Sequence, residues 1–126
     1  MLFLDTSFLV EYEREYSAKT VGPATRFLRS RAKSEAVAVS IIALGEFSEG
    51  FTPPSSAAAF LSGFVIVQLS RAIAYKAAAM QSALPQRLGE NDAWIAATAL
   101  VYDAELAGRE AAFNRVPRLK YSPLNP

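Results

Sequence analysis

The sequence predicts an α/β sandwich built on a mostly parallel sheet, and three observations carry that prediction. Short continuous apolar runs recur at Leu2–Leu4, Ala36–Val39 and Phe64–Val67. Runs of this length without polar interruption suit strands buried on both faces, as in a parallel sheet. Segments with apolar residues at helical spacing separate them, so strand and helix alternate along the chain. Each run is followed within a few residues by good helix caps: Thr6 and Ser7, Ser40, and Ser70.

Taken in order, the first strand, Leu2–Leu4, ends at Asp5. The helix after it carries Phe8, Leu9, Tyr12 and Tyr16 on one stripe, with Glu11, Glu13, Arg14 and Glu15 on solvated faces. A second helix spans Pro23 to about Ala32, burying Phe27 and Leu28 and exposing Arg26, Arg29 and Arg31. After the second strand, Ser40 caps a helix from Ile41 to Gly50 that turns Leu44, Phe47 and Phe51 inward. Thr52-Pro53-Pro54 breaks the chain, and a helix from Ser55 to Leu61 leads into the third strand. Ser70 caps an Ala-rich helix that ends before Pro85, and Glu90-Asn91-Asp92 opens another. In that helix Trp94 reads as packing rather than base stacking, given Ile95 and Ala97 beside it. A fourth strand is expected near Glu105–Ala107 and an edge strand in the tail from Val116 to Tyr121, with Pro123 and Pro126 marking a loose end. Glu35 and Glu105 read as solvated.

A length of 126 residues is one domain's worth, so residues 1–126 are expected to form a single domain. The chain is 52% hydrophobic, which excludes the disordered class. With 13 basic and 12 acidic residues the net charge is +1, so any nucleic-acid site must be a local patch. There is no cysteine and no histidine. These absences exclude disulfides, thiolate metal sites, cysteine nucleophiles, the Ser-His-Asp triad and nearly all zinc chemistry. Acid–base work would fall to carboxylates, Lys, Tyr or water activated by a metal. The apolar N-terminus is too short for a signal peptide, and the stretch Ala57–Leu69, broken by Ser62 and Gly63, is too short for a membrane helix. A cytoplasmic protein without membrane partners is expected.

Parallel strands present their C-terminal ends on one edge of the sheet, where ligands bind. Asp5 follows the first strand, Glu46 lies in the helix leaving the second, and Asp92 lies in the first turn of another helix. Each has a structural reading alone: Asp5 and Asp92 as helix-start charges, Glu46 as a semi-exposed helix residue. Glu49 reads as solvent-facing, or as a second acid on the same groove. Brought to one edge, the three carboxylates would repel one another, and a bound cation relieves that repulsion. Oxygen-only ligands favour Mg²⁺ or Mn²⁺.

Leu2-Phe3-Leu4-Asp5-Thr6-Ser7 resembles the opening of PIN domains, an apolar strand ending in Asp-Thr or Asp-Ser. Val39-Ser40 through Gly45-Glu46-Phe47 is similar to their second motif, a Ser- or Thr-capped helix carrying a Glu. Gly89-Glu90-Asn91-Asp92-Ala93-Trp94-Ile95-Ala96-Ala97-Thr98-Ala99 resembles the third and most distinctive motif. The ordered set covers nearly the whole chain, and its length suits VapC-type toxins. The resemblance implies a PIN-like three-layer α/β/α sandwich. It implies an Mg²⁺- or Mn²⁺-dependent endoribonuclease, the toxin of a type II toxin–antitoxin pair. RNA as substrate, a small antitoxin and a homodimer follow from the same resemblance, with Phe51, Phe60 and Phe64 as exposed residues for the dimer interface. Asp5 and Asp92 would be the central metal ligands and catalytic residues, and Glu46 and Glu110 would hold the metal directly or through water.

Glu110 enters through the fourth motif, where this chain departs from the family. Aligned without gaps over Leu106–Phe113, Glu110 takes the first acidic position, Gly108 replaces a Thr and Ala112 replaces a second acid. Restoring Thr at 108 and Asp at 112 is expected to raise activity. The same departures favour an alternative, a catalytically degenerate PIN domain that binds RNA or protein. A phosphotransfer enzyme of the haloacid-dehalogenase type needs a second Asp where Ser7 stands, and a nucleotide-binding reading lacks a Gly-rich phosphate loop. RNA backbone contacts are expected from Arg26, Arg29, Arg87, Arg109, Arg115 and Arg118.

Overall fold

The strand Leu2–Leu4 (β1) lies at the centre of the sheet, and all three of its residues are buried. In the computed structural model, which describes residues 1–125, β1 pairs with Val37–Ser40 (β2) on one side and Glu105–Gly108 (β4) on the other. Val65–Val67 (β3) and Lys120–Pro123 (β5) form the edges, giving the order β3-β2-β1-β4-β5 with every pairing parallel. Pro126 lies outside the described residues.

Helices Thr6–Ala18 (α1), Pro23–Arg31 (α2), Ile41–Ser48 (α3), Ala58–Leu61 (α4), Arg71–Ala83 (α5) and Glu90–Val101 (α6) flank the sheet, as expected of the PIN-like sandwich. Leu2, Leu4, Phe8, Val39, Leu106 and Phe113 are among the side chains sealed in the core. Removing each from water contributes about 1.5–3 kcal/mol. Ser40 and Ser70 cap α3 and α5 as expected, accepting the Ala43 N–H at 3.1 Å and the Ile73 N–H at 3.2 Å. Trp94 is half-buried against Ile73, Ala77 and Ala97, in keeping with a packing role. Among the described residues no helix is long and apolar enough to cross a membrane.

Several expectations are corrected by tertiary contacts. The cap of α1 is Asp5, whose carboxylate accepts the Phe8 N–H at 2.8 Å, while Thr6 and Ser7 already sit inside the helix. Tyr16 is 64% exposed, and Glu15, read as solvated, is buried instead. The cause is the chain's return after α1 through Lys19, which adopts a left-handed conformation (φ 55°). The return lays the start of α2 over Glu15, whose carboxylate accepts the N–H groups of Gly22, Ala24 and Thr25 at 2.9, 3.0 and 2.9 Å. A Cβ on Gly22 would lie 2.5 Å from the Glu15 carboxyl carbon, so a side chain there would push the carboxylate off its three donors. Glu105, also read as solvated, is bridged by Arg31 of α2 (3.1 Å) and by Ser122 of β5. Phe51, Phe60 and Phe64 are half-buried rather than exposed. Phe51 and Phe60 pack edge-on to Phe47 with centroids at 5.0 and 6.4 Å, and Phe64 packs on Tyr12 at 6.3 Å.

Burial works to raise the Glu15 pKa, but the Thr25 hydroxyl and three backbone N–H groups outweigh it, so the carboxyl titrates below its ordinary 4.5. With the folded value depressed, its contribution is complete above 4.5 and is lost as pH falls through the folded value. Glu15→Ala is expected to lower stability by about 2–3 kcal/mol at pH 7, because donors to a charged acceptor lose their partner. Urea unfolding at pH 7 and pH 3.5 checks this. The gap between wild type and variant should narrow at the lower pH, and a gap independent of pH would count against the charged cap.

Candidate active site

The site forms where β1 and β4 end. The ladder continues one residue past β1, with the Asp5 N–H donating to the Ala107 carbonyl at 3.0 Å. This places Asp5 beside Gly108 at the sheet edge. Ser40 turns β2 into α3 and so delivers Glu46, while the first turn of α6 delivers Asp92. Glu110 stands two residues past β4 and caps the 3₁₀ turn Ala111–Arg115, its Oε1 accepting the Ala112 N–H at 3.2 Å. Asp5, Glu46, Asp92 and Glu110 line one cavity of about 250 Å³, together with Thr6, Ser7, Ile95 and Phe113. The sequence-predicted acids therefore share a single surface.

Their environments differ. Asp5 is buried, Glu46 and Asp92 are half-buried, and Glu110 is exposed. Burial raises the Asp5 pKa, opposed by hydrogen bonds from Ser7, Phe8 and Tyr121 and reinforced by the charge of Glu110. Burial likewise raises Asp92, with further repulsion from Glu110, Glu46 and Asp5. The charges feel one another, the condition that a cation relieves. The donor set is oxygen-only, which fits Mg²⁺ or Mn²⁺ in kind. As they stand, no group of three or more acidic side chains among the described residues is placed to hold a metal ion.

Hydrogen bonds account for these positions. The Thr6 hydroxyl donates to Glu46 Oε1 at 2.6 Å and the Asn91 amide donates to Glu46 Oε2 at 3.1 Å. Ser7 Oγ donates to Asp5 Oδ1 at 2.6 Å, and Tyr121 Oη donates to Asp5 Oδ2 at 3.0 Å. Burial, followed by the Asp5 charge, holds the Tyr121 phenol well above its usual range, so it remains a donor. Sequence reasoning missed Thr6, Ser7 and Asn91 as partners, although each stands next to, or two residues from, an acid it singled out. Tyr121 left no local signal, because only the pairing of β5 with β4 brings it here.

Gly108 looked like a lost side chain in the sequence. In the structure a Cβ there would lie 1.9–2.0 Å from the Asp5 carboxylate atoms. Asp5 occupies the space a side chain at 108 would need. Of the arginines expected to contact RNA, Arg109 adjoins the acids and pairs with Glu11 at 3.8 Å. Arg29 lines a different cavity, between α1 and α2, with Glu15 and Tyr16. Arg87 pairs with Glu90 at 3.3 Å, whereas Arg26 and Arg115 donate to the carbonyls of Val21 and Gln86 at 3.1 and 2.9 Å. Arg118 sits in a left-handed turn (φ 68°).

Known proteins share this architecture. The chain superposes on a chain of VapBC2 from Rickettsia felis, solved with a DNA fragment from its promoter, with a TM-score of 0.85. The two are 24% identical, and the match covers 99% of this chain and 100% of that one. A chain of a toxin–antitoxin complex from Klebsiella pneumoniae is 25% identical, with a TM-score of 0.76 over 94% of this chain and 95% of that one. A chain of FitAcB from Neisseria gonorrhoeae is 21% identical, with a TM-score of 0.76 over 99% and 97%. Comparison with curated proteins gives no match. The PIN-domain family profile matches residues 2–119, nearly the whole length, and on that match the chain belongs to the PIN-domain family.

Proposed function

We propose that this protein is a divalent-metal-dependent endoribonuclease of the VapC type, the toxin of a type II toxin–antitoxin pair. The observation that carries the reading is one cavity lined by four acids from separate elements, with Asp92 repelled by the other three. Similarity to chains from toxin–antitoxin complexes supports the biological role and a small antitoxin as partner. In this reading Asp5 and Asp92 hold Mg²⁺ or Mn²⁺, with Glu46 and Glu110 beside them directly or through water. The chemistry such an ion supplies is polarisation of the phosphodiester and activation of water near neutral pH, with no histidine needed. Thr6 and Asn91 orient Glu46 and Ser7 and Tyr121 orient Asp5, while Arg109, next to Glu110 in the chain, is the arginine this reading assigns to an RNA phosphate. A homodimer belongs to the same reading, with the aromatic surface around Phe60 and Tyr16 as part of its interface.

A second reading, a PIN domain that binds RNA or protein without cleaving it, is favoured by Gly108 and Ala112 in the fourth motif and because, among the described residues, no three acids stand close enough to hold a metal ion as they are. One experiment separates the two. Metal-free protein is melted with and without Mn²⁺, and cleavage of a total RNA pool is followed under the same conditions. The nuclease reading expects a melting temperature several degrees higher at saturating Mn²⁺, since binding to the folded state alone adds about 2.7 kcal/mol at a hundredfold excess over Kd. It also expects cleavage that EDTA abolishes. RNA binding without cleavage at any Mn²⁺ concentration would favour the second reading.

A further inference from the structure

Two hydroxyls hold Asp5, and two consecutive backbone N–H groups just past β4 hold the hydroxyls. Ser7 Oγ accepts the Arg109 N–H at 2.7 Å and donates to Asp5 Oδ1 at 2.6 Å. Tyr121 Oη accepts the Glu110 N–H at 2.8 Å and donates to Asp5 Oδ2 at 3.0 Å. An oxygen already occupied by an N–H turns its own proton elsewhere, and here that direction is Asp5. The Phe8 N–H is a second donor to Oδ1, at 2.8 Å. An ionised carboxylate offers about two acceptor positions per oxygen. Oδ1 is therefore filled, and Oδ2 keeps one free position.

This arrangement depends on features that lie far apart in sequence. Tyr121 reaches Asp5 from β5, across β4, and its half-buried ring is fixed against Phe113 with centroids 5.2 Å apart. Asp5 meets it by occupying the volume left open at Gly108, where a Cβ would come within 1.9 Å of Oδ2.

We propose that Tyr121 is a positioning residue which, with Gly108, sets the Asp5 carboxylate so that Oδ2 alone presents a free lone pair to a divalent cation. The proposal rests on the metal-site reading above. Hydrogen-bonding partners of metal ligands commonly change affinity by about 10–100-fold, and that is the effect expected of the phenol oxygen.

The test uses Mn²⁺ alone as the probe, with the free ion followed by electron paramagnetic resonance and melting in EDTA as the fold control. Tyr121→Phe removes one oxygen and keeps the ring that packs on Phe113. It should weaken Mn²⁺ binding 10- to 100-fold while the metal-free protein still melts cooperatively, a loss that a ring serving only to pack would not produce. Affinity within twofold of wild type would overturn the proposal. Gly108→Ala is the independent arm, because its methyl displaces Asp5 from Tyr121 with the phenol intact. It should weaken binding to a similar degree, and unchanged or tighter binding would also overturn the proposal. Failure of both variants to fold would assign Tyr121 and Gly108 to structure and end the positioning role. Wild-type protein that binds no Mn²⁺ would defeat the metal-site reading itself, and this proposal with it. Binding by wild type with no effect of either substitution defeats the positioning role alone.

Discussion

Asp92→Asn is expected to lower RNA cleavage by about 10³-fold or more, while raising the melting temperature of the metal-free protein by a few degrees. The first effect follows from the several kcal/mol of transition-state stabilisation that a bound cation supplies, equivalent to about 10³ in rate. In the proposed reading Asp92 is a charged ligand of that cation, and a neutral amide does not replace it. The second effect has a separate origin. Burial, then the charges of Glu110, Glu46 and Asp5, raise the Asp92 pKa above its ordinary 3.8. With the folded value raised, the native state binds the proton more tightly than the unfolded chain does. Stability from this group therefore falls as pH rises from 3.8 through the folded value, and at neutral pH the ionised side chain is a net cost. Asparagine removes that cost. Glu15 and Glu105, whose values are lowered, act in the opposite sense at acid pH, so the comparison belongs at pH 7. Melting in EDTA and in Mn²⁺, with cleavage assayed in parallel, checks both parts. A variant less stable in EDTA that still cleaves would mean Asp92 serves α6 as a first-turn charge and is no ligand. Glu110→Gln tests the weaker acid in the same assay, and cleavage close to wild type would reduce Glu110 to the cap of its 3₁₀ turn.

Opposed effects of this kind were legible in the sequence only at the level of which acids reach the sheet edge. The placing of Asp5 followed from β1 being a buried parallel strand, a consequence of Leu2-Phe3-Leu4 having no polar interruption. Ser40 and Ser70 were legible as caps because a cap acts on a donor three residues away. Glu15 was not, since Glu13 and Glu15 differ only in which one the returning chain covers, and that depends on the turn at Lys19. Phe60 and Phe64 looked exposed because their shelter comes from distant residues, Phe47 and Phe51 for the first and Tyr12 for the second. Tyr121 needed the β4–β5 register, which sets it opposite Leu106 and within reach of Asp5. Local patterns reported the acids. Long-range contacts decided what holds them.

Gly108 is where the two levels of reading give opposite forecasts, and Gly108→Thr distinguishes them. By family pattern, threonine restores a missing hydroxyl, and together with Ala112→Asp it should raise activity. By packing, the Cβ alone would stand 1.9–2.0 Å from three atoms of the Asp5 carboxylate. Something must then move. β4 is poorly placed to do so, because it is paired with β1 and β5 on both sides and the Gly108 carbonyl also accepts the Leu124 N–H at 2.8 Å. The carboxylate yields instead, losing the Ser7 and Tyr121 hydroxyls and leaving a buried charge with fewer donors. Overpacking of this kind costs about 1–3 kcal/mol, and Mn²⁺ affinity and cleavage should each fall by about 10–100-fold. Ala112→Asp made alone separates the substitutions, since position 112 is half-buried and its N–H donates to Glu110 at 3.2 Å, whereas the Asp5 carboxylate crowds position 108. Urea unfolding together with Mn²⁺ titration of the two single variants and the double variant checks the forecast. If Gly108→Thr raises both affinity and cleavage, the position of Asp5 against Tyr121 is not the working one, and the carboxylate must swing away from β5 to act. If it lowers them, this chain has replaced the family's fourth-motif hydroxyl with one from the opposite strand, and the glycine is what makes room for it.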